Sequence, residues 1–258
     1  MFDDWNQFPS YIIQAEQQGQ VTRTFRRLDP ARQHAVLQAI LDEAALRGPS
    51  AMNIKQVAQR AGVSVGSLYQ YFGDRDSMLN FAVDLCVRFV TDAFEMYQPY
   101  LAALSLREAL AAYVSGGIEW SRAEVGFLQL FARAAYQGDP ELAERLVLPI
   151  SNKLREMVSE ILAQAAARGE IRPGVDLEAA TRLVHGLSIA VGDSQLLPYL
   201  NNYFQIIDAA LPPERILAAM LDLVLQGIAC ASEAGAAGSA GAGNDASVAS
   251  TAASGYES

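Results

Sequence analysis

The residues best suited to chemistry stand between positions 62 and 76, in the run GVSVGSLYQYFGDRD. Hydroxyls, phenols, an amide and an arginine come close together there. The run lacks the nucleophile and base of a hydrolase and the glycine pattern of a cofactor loop. Such groups supply hydrogen bonds and charge, so the run indicates a surface that presses against a partner.

A helix-turn-helix is the element that must position these groups. Asn53 is predicted to cap a short helix, and Gly62 lies just past its end in a left-handed conformation, where a Cβ costs about 1–2 kcal/mol. Ser64 then caps the next helix, whose inner face carries Leu68 and Phe72. These two apolar side chains are expected to hold the helix to its scaffold.

The front of this second helix is predicted to be small and polar. Its capped end presents backbone N–H groups and the positive end of the helix dipole, which favour phosphate. Gly66 and Ser67 keep the front narrow enough for a DNA major groove, which is about 12 Å wide. Four side chains are expected to reach groove edges or phosphates: Tyr69, Gln70, Tyr71 and Arg75.

The charge of the chain is unevenly distributed. The net charge of all 258 residues is −10, which by itself argues against a nucleic-acid partner. Residues 1–20 carry −3 and residues 21–75 carry +4, so the remainder carries −11. A basic block on an acidic body attracts a polyanion to one side only.

Proline, glycine and capping signals divide the rest of the chain into helices, so the predicted fold class is all-α, without a sheet. Helices are expected from Pro30 to Arg47 and for about 24 residues from Asp74. Ser105 and Ser121 begin capping boxes, and Pro149 should kink or break a long helix. The predicted divisions are a leader at 1–28 with a basic arm at 22–27, a DNA-binding domain at 29–80, a helical domain at 81–232 and a disordered tail at 233–258.

Composition narrows the class of protein further. Two cysteines and two histidines provide neither a disulfide framework nor a His/Cys metal cluster, and we expect no metal and no cofactor. The chain shows no signal peptide and no membrane span, which predicts a soluble cytoplasmic protein.

Residues 1–20 are interpreted as a mostly flexible leader that docks on the body. Tyr11 and Ile12 lie on an apolar face of this leader, and Pro9 argues against a continuous helix.

The run NIKQVAQRAGVSVGSLYQYFGDRDSML, residues 53 to 79, resembles the DNA-binding domain of TetR-type transcriptional regulators. The shared features are the capped helix with VA, the AGVS turn, and the G-S-L-Y-x-Y-F pattern followed by a basic and an acidic residue. The resemblance spans residues 30 to 80. It implies base or phosphate contacts for Lys55, Ser64, Val65, Gly66, Ser67, Tyr69, Gln70, Tyr71 and Arg75.

The resemblance also implies a dimer that binds a near-palindromic operator and is released by a small effector, as a repressor. Residues 216–228 are apolar nearly all round and must be covered on more than one side, so helices near 177–195 and 213–231 are the expected dimer interface. A hydrophobic or amphipathic effector is expected. The implied pocket residues are Tyr97, Trp120, Phe127, Phe131, Tyr136, His185 and Tyr199.

Two alternatives stay open at this stage. An all-helical ligand-binding or enzymatic protein could carry a non-functional helix-turn-helix, and its nearest catalytic candidates are Asp193 and Ser194 beside His185. Eight positions separate His185 from Asp193, about 12 Å of helical rise, which argues against direct contact. A DNA-packaging protein of no sequence preference is disfavoured by the net charge of −10.

Overall fold

The computed structural model describes residues 8–123, 125–137 and 140–230, and most of them are helical. The helices are α1 Phe8–Gln17, α2 Arg23–Arg26, α3 Pro30–Arg47, α4 Ile54–Ala61, α5 Val65–Phe72, α6 Arg75–Ala103, α7 Leu106–Ala123, α8 Val125–Gln137, α9 Pro140–Leu142, α10 Leu148–Ala167, α11 Leu177–Leu196, α12 Pro198–Phe204 and α13 Pro213–Ile228. The all-α prediction is confirmed. Extended pairing in the described ranges is limited to one bridge between Ile171 and Ala229.

Some predictions fall on parts of the chain that are not described. The tail at 233–258 and the first seven residues of the leader lie outside the described residues, as does the side chain of Trp120. Among the helices that are described, none has both the length and the apolar character needed to span a bilayer.

The predicted caps form where short polar side chains precede a helix. The Asp29 carboxylate accepts a hydrogen bond from the Arg32 amide (3.0 Å), and Asp74 accepts one from Ser77 (2.7 Å). The hydrogen bond from Ser77 lowers the pKa of Asp74 below its ordinary value. Helix α6 continues for 29 residues, longer than predicted, because its apolar positions pack against two successive cores.

Two clusters of buried side chains hold the helices together. The first joins α1 to α5 with the first half of α6, α8 and the start of α10. The second joins the end of α6 with α7, α10, α11 and α13. Phe94 on α6 and Leu154 on α10 pack against both clusters. The first core therefore runs across residue 80, where the sequence predicted a domain boundary, and that boundary stays a prediction.

One local prediction is wrong. Ser121 lies inside α7, so it does not begin a capping box. The chain stays helical through Pro149, which occupies the first turn of α10. A π-helical segment, Ala143–Val147, precedes that proline. Proline lacks an N–H, and its ring crowds the preceding turn of a helix. The wider π-helical turn before Pro149 leaves room for that ring.

The interpretation of the leader as mostly flexible is wrong for residues 8–17, which form α1. Pro9 lies in the first helical turn, where an N–H has no partner within the helix in any case. Tyr11, Ile12 and Ala15 are buried, and the ring of Tyr11 lies 6.3 Å from that of Phe89 on α6. Their spacing gives α1 a narrow apolar stripe, and α6 covers it.

Candidate functional site

The turn between α4 and α5 has the predicted geometry. The Asn53 side chain accepts a hydrogen bond from the Lys55 amide (3.0 Å), and Gly62 follows α4 in the left-handed region at φ 66°. A Cβ at Gly62 would meet nothing within 4 Å, so the backbone conformation alone favours glycine there. Ser64 Oγ then accepts from the Ser67 amide (2.9 Å) and caps α5.

Helix α5 presents a polar outer face and an apolar inner face. Lys55, Ser64, Gly66, Tyr69 and Gln70 are exposed, and the side chain of Tyr69 is 47% accessible. Val65 and Ser67 are partly exposed, and the hydroxyl of Ser67 lies 2.8 Å from that of Ser64. Leu68 and Phe72 are buried, as predicted. The outer face offers hydroxyl, amide and backbone N–H groups without a nucleophile–base pair.

Most of the Tyr71 side chain lies on the inner side of α5, and its predicted contact with the groove or the DNA backbone stays a prediction. Its side chain is buried, with its ring 5.6 Å from that of Phe25 and 6.1 Å from that of Phe72. Positions 69 and 71 lie on different sides of α5 because successive helical residues are rotated by about 100°. Position 71 faces α2, an element that the sequence did not predict.

Arg75 has a partner that the sequence did not reveal. One guanidinium nitrogen donates a hydrogen bond to the Pro49 carbonyl (2.7 Å), and this joins the start of α6 to the turn before α4. About a third of the side chain stays accessible (35%), so one part of the guanidinium faces solvent. Its predicted phosphate contact would use that part.

The segment predicted as a basic arm at 22–27 contains the packed helix α2, with Arg23 and Arg27 exposed, and its contact with DNA stays a prediction. Phe25 is fully buried in α2, and Arg26 pairs with Glu16 of α1. The Thr22 amide donates to the Tyr71 carbonyl (2.9 Å), and the Thr22 hydroxyl donates to the Gln70 carbonyl (2.9 Å). These contacts fix the leader to the C-terminal end of α5.

A cavity of about 500 Å³ lies between α1, α6, α7 and α10. Tyr97 lines it, as predicted for an effector pocket, and Tyr11 and Asp92 also line it, although neither was predicted as a pocket residue. The Tyr11 hydroxyl donates to the Asp92 carboxylate (2.6 Å). Burial and that hydrogen bond raise the pKa of Tyr11 above its ordinary value. The spacing of Tyr11, Ile12 and Ala15 places them on one face of a helix, and this was the sequence signal that could have indicated a helix at this wall of the cavity.

A smaller cavity of about 120 Å³ adjoins the first and shares Phe94, Tyr113, Gly117 and Leu154 with it. Phe127 and Phe131 line this second cavity. The other predicted pocket residues whose side chains are described line neither cavity: Tyr136, His185 and Tyr199. Tyr136 and Tyr199 are exposed at the surface, and the Tyr136 hydroxyl donates to Asp193, which lines the smaller cavity.

The candidates for catalysis are engaged in separate contacts. Asp193 accepts a hydrogen bond from Tyr136, and the Ser194 hydroxyl donates to the Ala190 carbonyl (2.7 Å) within the same helix. Burial raises the pKa of Asp193, whereas burial and nearby Arg155 lower the pKa of His185. The structure therefore does not bring His185, Asp193 and Ser194 together as a catalytic group. Among the described residues, no group of three or more His, Cys, Asp or Glu could hold a metal ion.

Known protein families match both the helix-turn-helix region and the helices that follow it. The family of bacterial regulatory proteins of the tetR type matches residues 36–81, and the C-terminal domain of tetracyclin-repressor-like proteins matches residues 103–190. The regulator BetI of Stenotrophomonas maltophilia is 26% identical over 151 residues, 55% of this chain and 76% of BetI. The repressor KstR2 of Rhodococcus jostii is 28% identical over 144 residues, 54% of this chain and 67% of KstR2.

Solved structures share the fold. A TetR-family regulator from Chloroflexus aurantiacus superposes with a TM-score of 0.56 at 18% identity, over 81% of this chain and 99% of that one. FadR of Bacillus subtilis, solved with stearoyl-CoA, superposes with a TM-score of 0.55 at 20% identity, over 76% of this chain and 99% of its own. The matched segments contain the helix-turn-helix and the helices around the cavities, and this chain belongs to the TetR family of transcriptional regulators.

Proposed function

We propose that this regulator binds a near-palindromic operator through α5 as a dimer and represses transcription until a ligand occupies its cavity. The observation that carries the proposal is the two-sided character of α5. Its capped N-terminus and its polar outer face are exposed, while Leu68 and Phe72 anchor the opposite side. Exposed donors on a rigidly held helix are suited to base edges and phosphates.

The residues proposed to contact DNA are those whose side chains or backbone are exposed or partly exposed on and around α5. Ser64, Val65, Gly66 and Ser67 form the front of α5 that would enter the major groove. Four further side chains would contact bases or phosphates around it: Lys55, Tyr69, Gln70 and Arg75. Tyr71 is left out of this set because it is buried.

The proposed dimer interface is supported by apolar side chains that the single chain leaves uncovered. Leu183 on α11 is 69% accessible and Leu223 on α13 is 66% accessible, and Leu187 is also exposed. Helices α11 and α13 pack against each other. Two copies of this pair would form a four-helix interface that covers these side chains. A twofold axis would place the two α5 helices about 34–36 Å apart.

The ligand is proposed to occupy the larger cavity, whose volume of about 500 Å³ lies in the range of drug-sized sites. FadR was solved with stearoyl-CoA, and KstR2 of Mycobacterium tuberculosis is described as a ketosteroid regulator. Stearoyl-CoA has an apolar acyl chain and a polar headgroup, which supports a largely apolar or amphipathic effector for this chain. The smaller cavity would extend the same site toward Phe127 and Phe131.

Two routes join this cavity to α5. Helix α6 lines the cavity with Tyr97 and begins directly after α5. The second route is the leader, because Tyr11 lines the cavity while Thr22 is bonded to the C-terminal end of α5. A ligand that prefers one position of these elements would shift the population of dimers whose α5 spacing matches the operator.

The proposal is tested by gel shifts at low salt with DNA from upstream of the protein's own gene. Lys55→Ala should weaken operator binding by about 1–3 kcal/mol and relax specificity at one position if Lys55 contacts a base. Arg122→Ala is the control, because Arg122 is exposed on α7, away from α5, and its loss removes the same charge. Equal affinities for wild type, Lys55→Ala and Arg122→Ala would contradict the proposed interface. Absence of a shift with every fragment would favour the enzymatic alternative.

A further inference from the structure

The lining of the larger cavity has an unusual combination of side chains. Six aromatic rings line it: Tyr11, Phe89, Phe94, Tyr97, Tyr100 and Tyr113. Two carboxylates, Asp92 and Glu119, line it as well. The described residues around this cavity include no lysine, arginine or histidine. The charged side chains of the described lining are therefore acidic, and many of its other side chains are aromatic.

The two carboxylates come from different helices that line the cavity. Asp92 lies on α6 and accepts the Tyr11 hydroxyl through one of its two oxygens. Glu119 lies on α7, is exposed, and has no ion-pair partner among the described residues. A charged group between them would find an acceptor on either wall.

Cations on the same helices are bound elsewhere. Arg88 on α6 donates to the side-chain oxygens of Gln14 and Gln18 on α1. Lys153 on α10 pairs with Glu95 (3.1 Å) and is mostly buried. Neither lines the cavity, and the Arg88 guanidinium, which is near enough to Tyr11 to oppose the rise in its pKa, is engaged by Gln14 and Gln18.

We infer that the cavity takes a lipophilic cation, with its apolar body against the aromatic rings and its positive charge held by Asp92 and Glu119. Faces of aromatic rings attract cations, and carboxylates strengthen that attraction in a partly dehydrated site. An anion would meet two like charges without a cationic side chain among the described lining residues to offset them. Residues 76–258 carry a net charge of −11, which favours the same sign of ligand. The inference concerns the effector site proposed above and rests on that site being the larger cavity.

The test compares two probes of nearly the same size and surface but opposite charge, tetraphenylphosphonium and tetraphenylborate. Binding of each to the full chain is measured by isothermal titration calorimetry. Tetraphenylphosphonium should bind at least about tenfold more tightly, and Asp92→Asn should lower its affinity by about tenfold, as expected for loss of one partly buried charge contact. Glu144→Gln is the matched control, because it also removes one negative charge but lies on the exposed side of the π-helical segment.

Glu119→Gln provides a second variant that is safe for folding, because the side chain is exposed. It should lower the affinity for tetraphenylphosphonium while the affinity for tetraphenylborate is unchanged or rises. Equal binding of the two probes, tighter binding of the borate, or no effect of either substitution would overturn the inference.

The same samples separate this inference from the proposed function. Release of operator DNA by stearoyl-CoA, with no binding of tetraphenylphosphonium, would overturn the cationic class and leave the regulator intact. Charge-selective binding that depends on Asp92, without a DNA shift on any fragment, would support the cavity assignment and contradict the operator proposal.

Discussion

Phe25 provides the sharpest test of how the leader contributes to the fold. The ring is fully buried, and its centre lies 5.6 Å from that of Tyr71, 5.0 Å from that of Phe72 and 5.5 Å from that of Phe81. Phe25→Ala removes this ring from beneath α5 and leaves a cavity. Buried Phe→Ala substitutions cost about 3–5 kcal/mol, a large part of the roughly 5–15 kcal/mol that stabilises a typical domain.

Urea unfolding of the full chain, followed by far-ultraviolet circular dichroism, measures this loss. With an m-value of about 1–3 kcal/mol per molar urea, the midpoint should fall by at least about 1 M. Arg27→Ala is the control, because Arg27 is exposed on the same segment and surface substitutions change stability by about 0.5 kcal/mol or less.

The two variants show whether residues 23–26 form a helix that packs beneath α5. A packed α2 predicts a large loss for Phe25→Ala and almost none for Arg27→Ala. If Phe25→Ala unfolds at the same urea concentration as wild type, then α2 is not part of the first core and the leader does not support α5.

Three further predictions concern other parts of the chain. Glu43 is buried and pairs with Arg47 (2.8 Å) and Arg60 (3.4 Å), so Glu43→Gln should lower the free energy of unfolding by about 1–3 kcal/mol in the same urea titration; an unchanged midpoint would contradict it. Burial lowers the pKa of His185 from 6.5, so the folded state binds this proton less readily than the unfolded state, and stability should fall as the pH drops through 6.5. The fall in melting temperature between pH 7.5 and pH 5.5 should be smaller in His185→Gln, and equal falls would refute that role. Leu223→Glu should raise the dimer dissociation constant at least about tenfold in sedimentation equilibrium, because it places a charge in the proposed apolar interface; dimers of unchanged affinity would exclude α13 from it.

Signals confined to a few neighbouring residues were predicted well. Asn53, Ser64 and Asp74 cap the helices that follow them, because a short polar side chain reaches an amide two or three residues ahead whatever the rest of the chain does. The left-handed conformation of Gly62 follows from the same local geometry. The turn and the exposed front of α5 were therefore accessible from sequence.

Burial of particular side chains was harder to predict, because it depends on elements distant in the sequence. Tyr69 and Tyr71 are chemically alike, and only the packing of α2 and Phe25 against α5 makes one exposed and the other buried. The contact between Tyr11 and Asp92 joins residues 81 positions apart. No local pattern in either segment specifies that partner.

The candidate pocket shows the same limit. Of the aromatic residues predicted for the pocket, Tyr136 and Tyr199 lie at the surface while Phe127 and Phe131 face the smaller cavity, and Tyr113, which lines both cavities, was not predicted. Helical spacing indicates which residues share a face. It does not indicate which face a neighbouring helix leaves uncovered, and that decides where a cavity forms.

The central claim is that α5 enters duplex DNA as one of a symmetric pair. Hydroxyl-radical footprinting of DNA from upstream of the protein's own gene, with the full chain bound, tests this most directly. The account predicts two protected half-sites whose centres lie about one helical turn apart, 10–10.5 base pairs, with both protections lost together in Tyr69→Ala. A single protected patch, or protection that is unchanged in Tyr69→Ala, would contradict it.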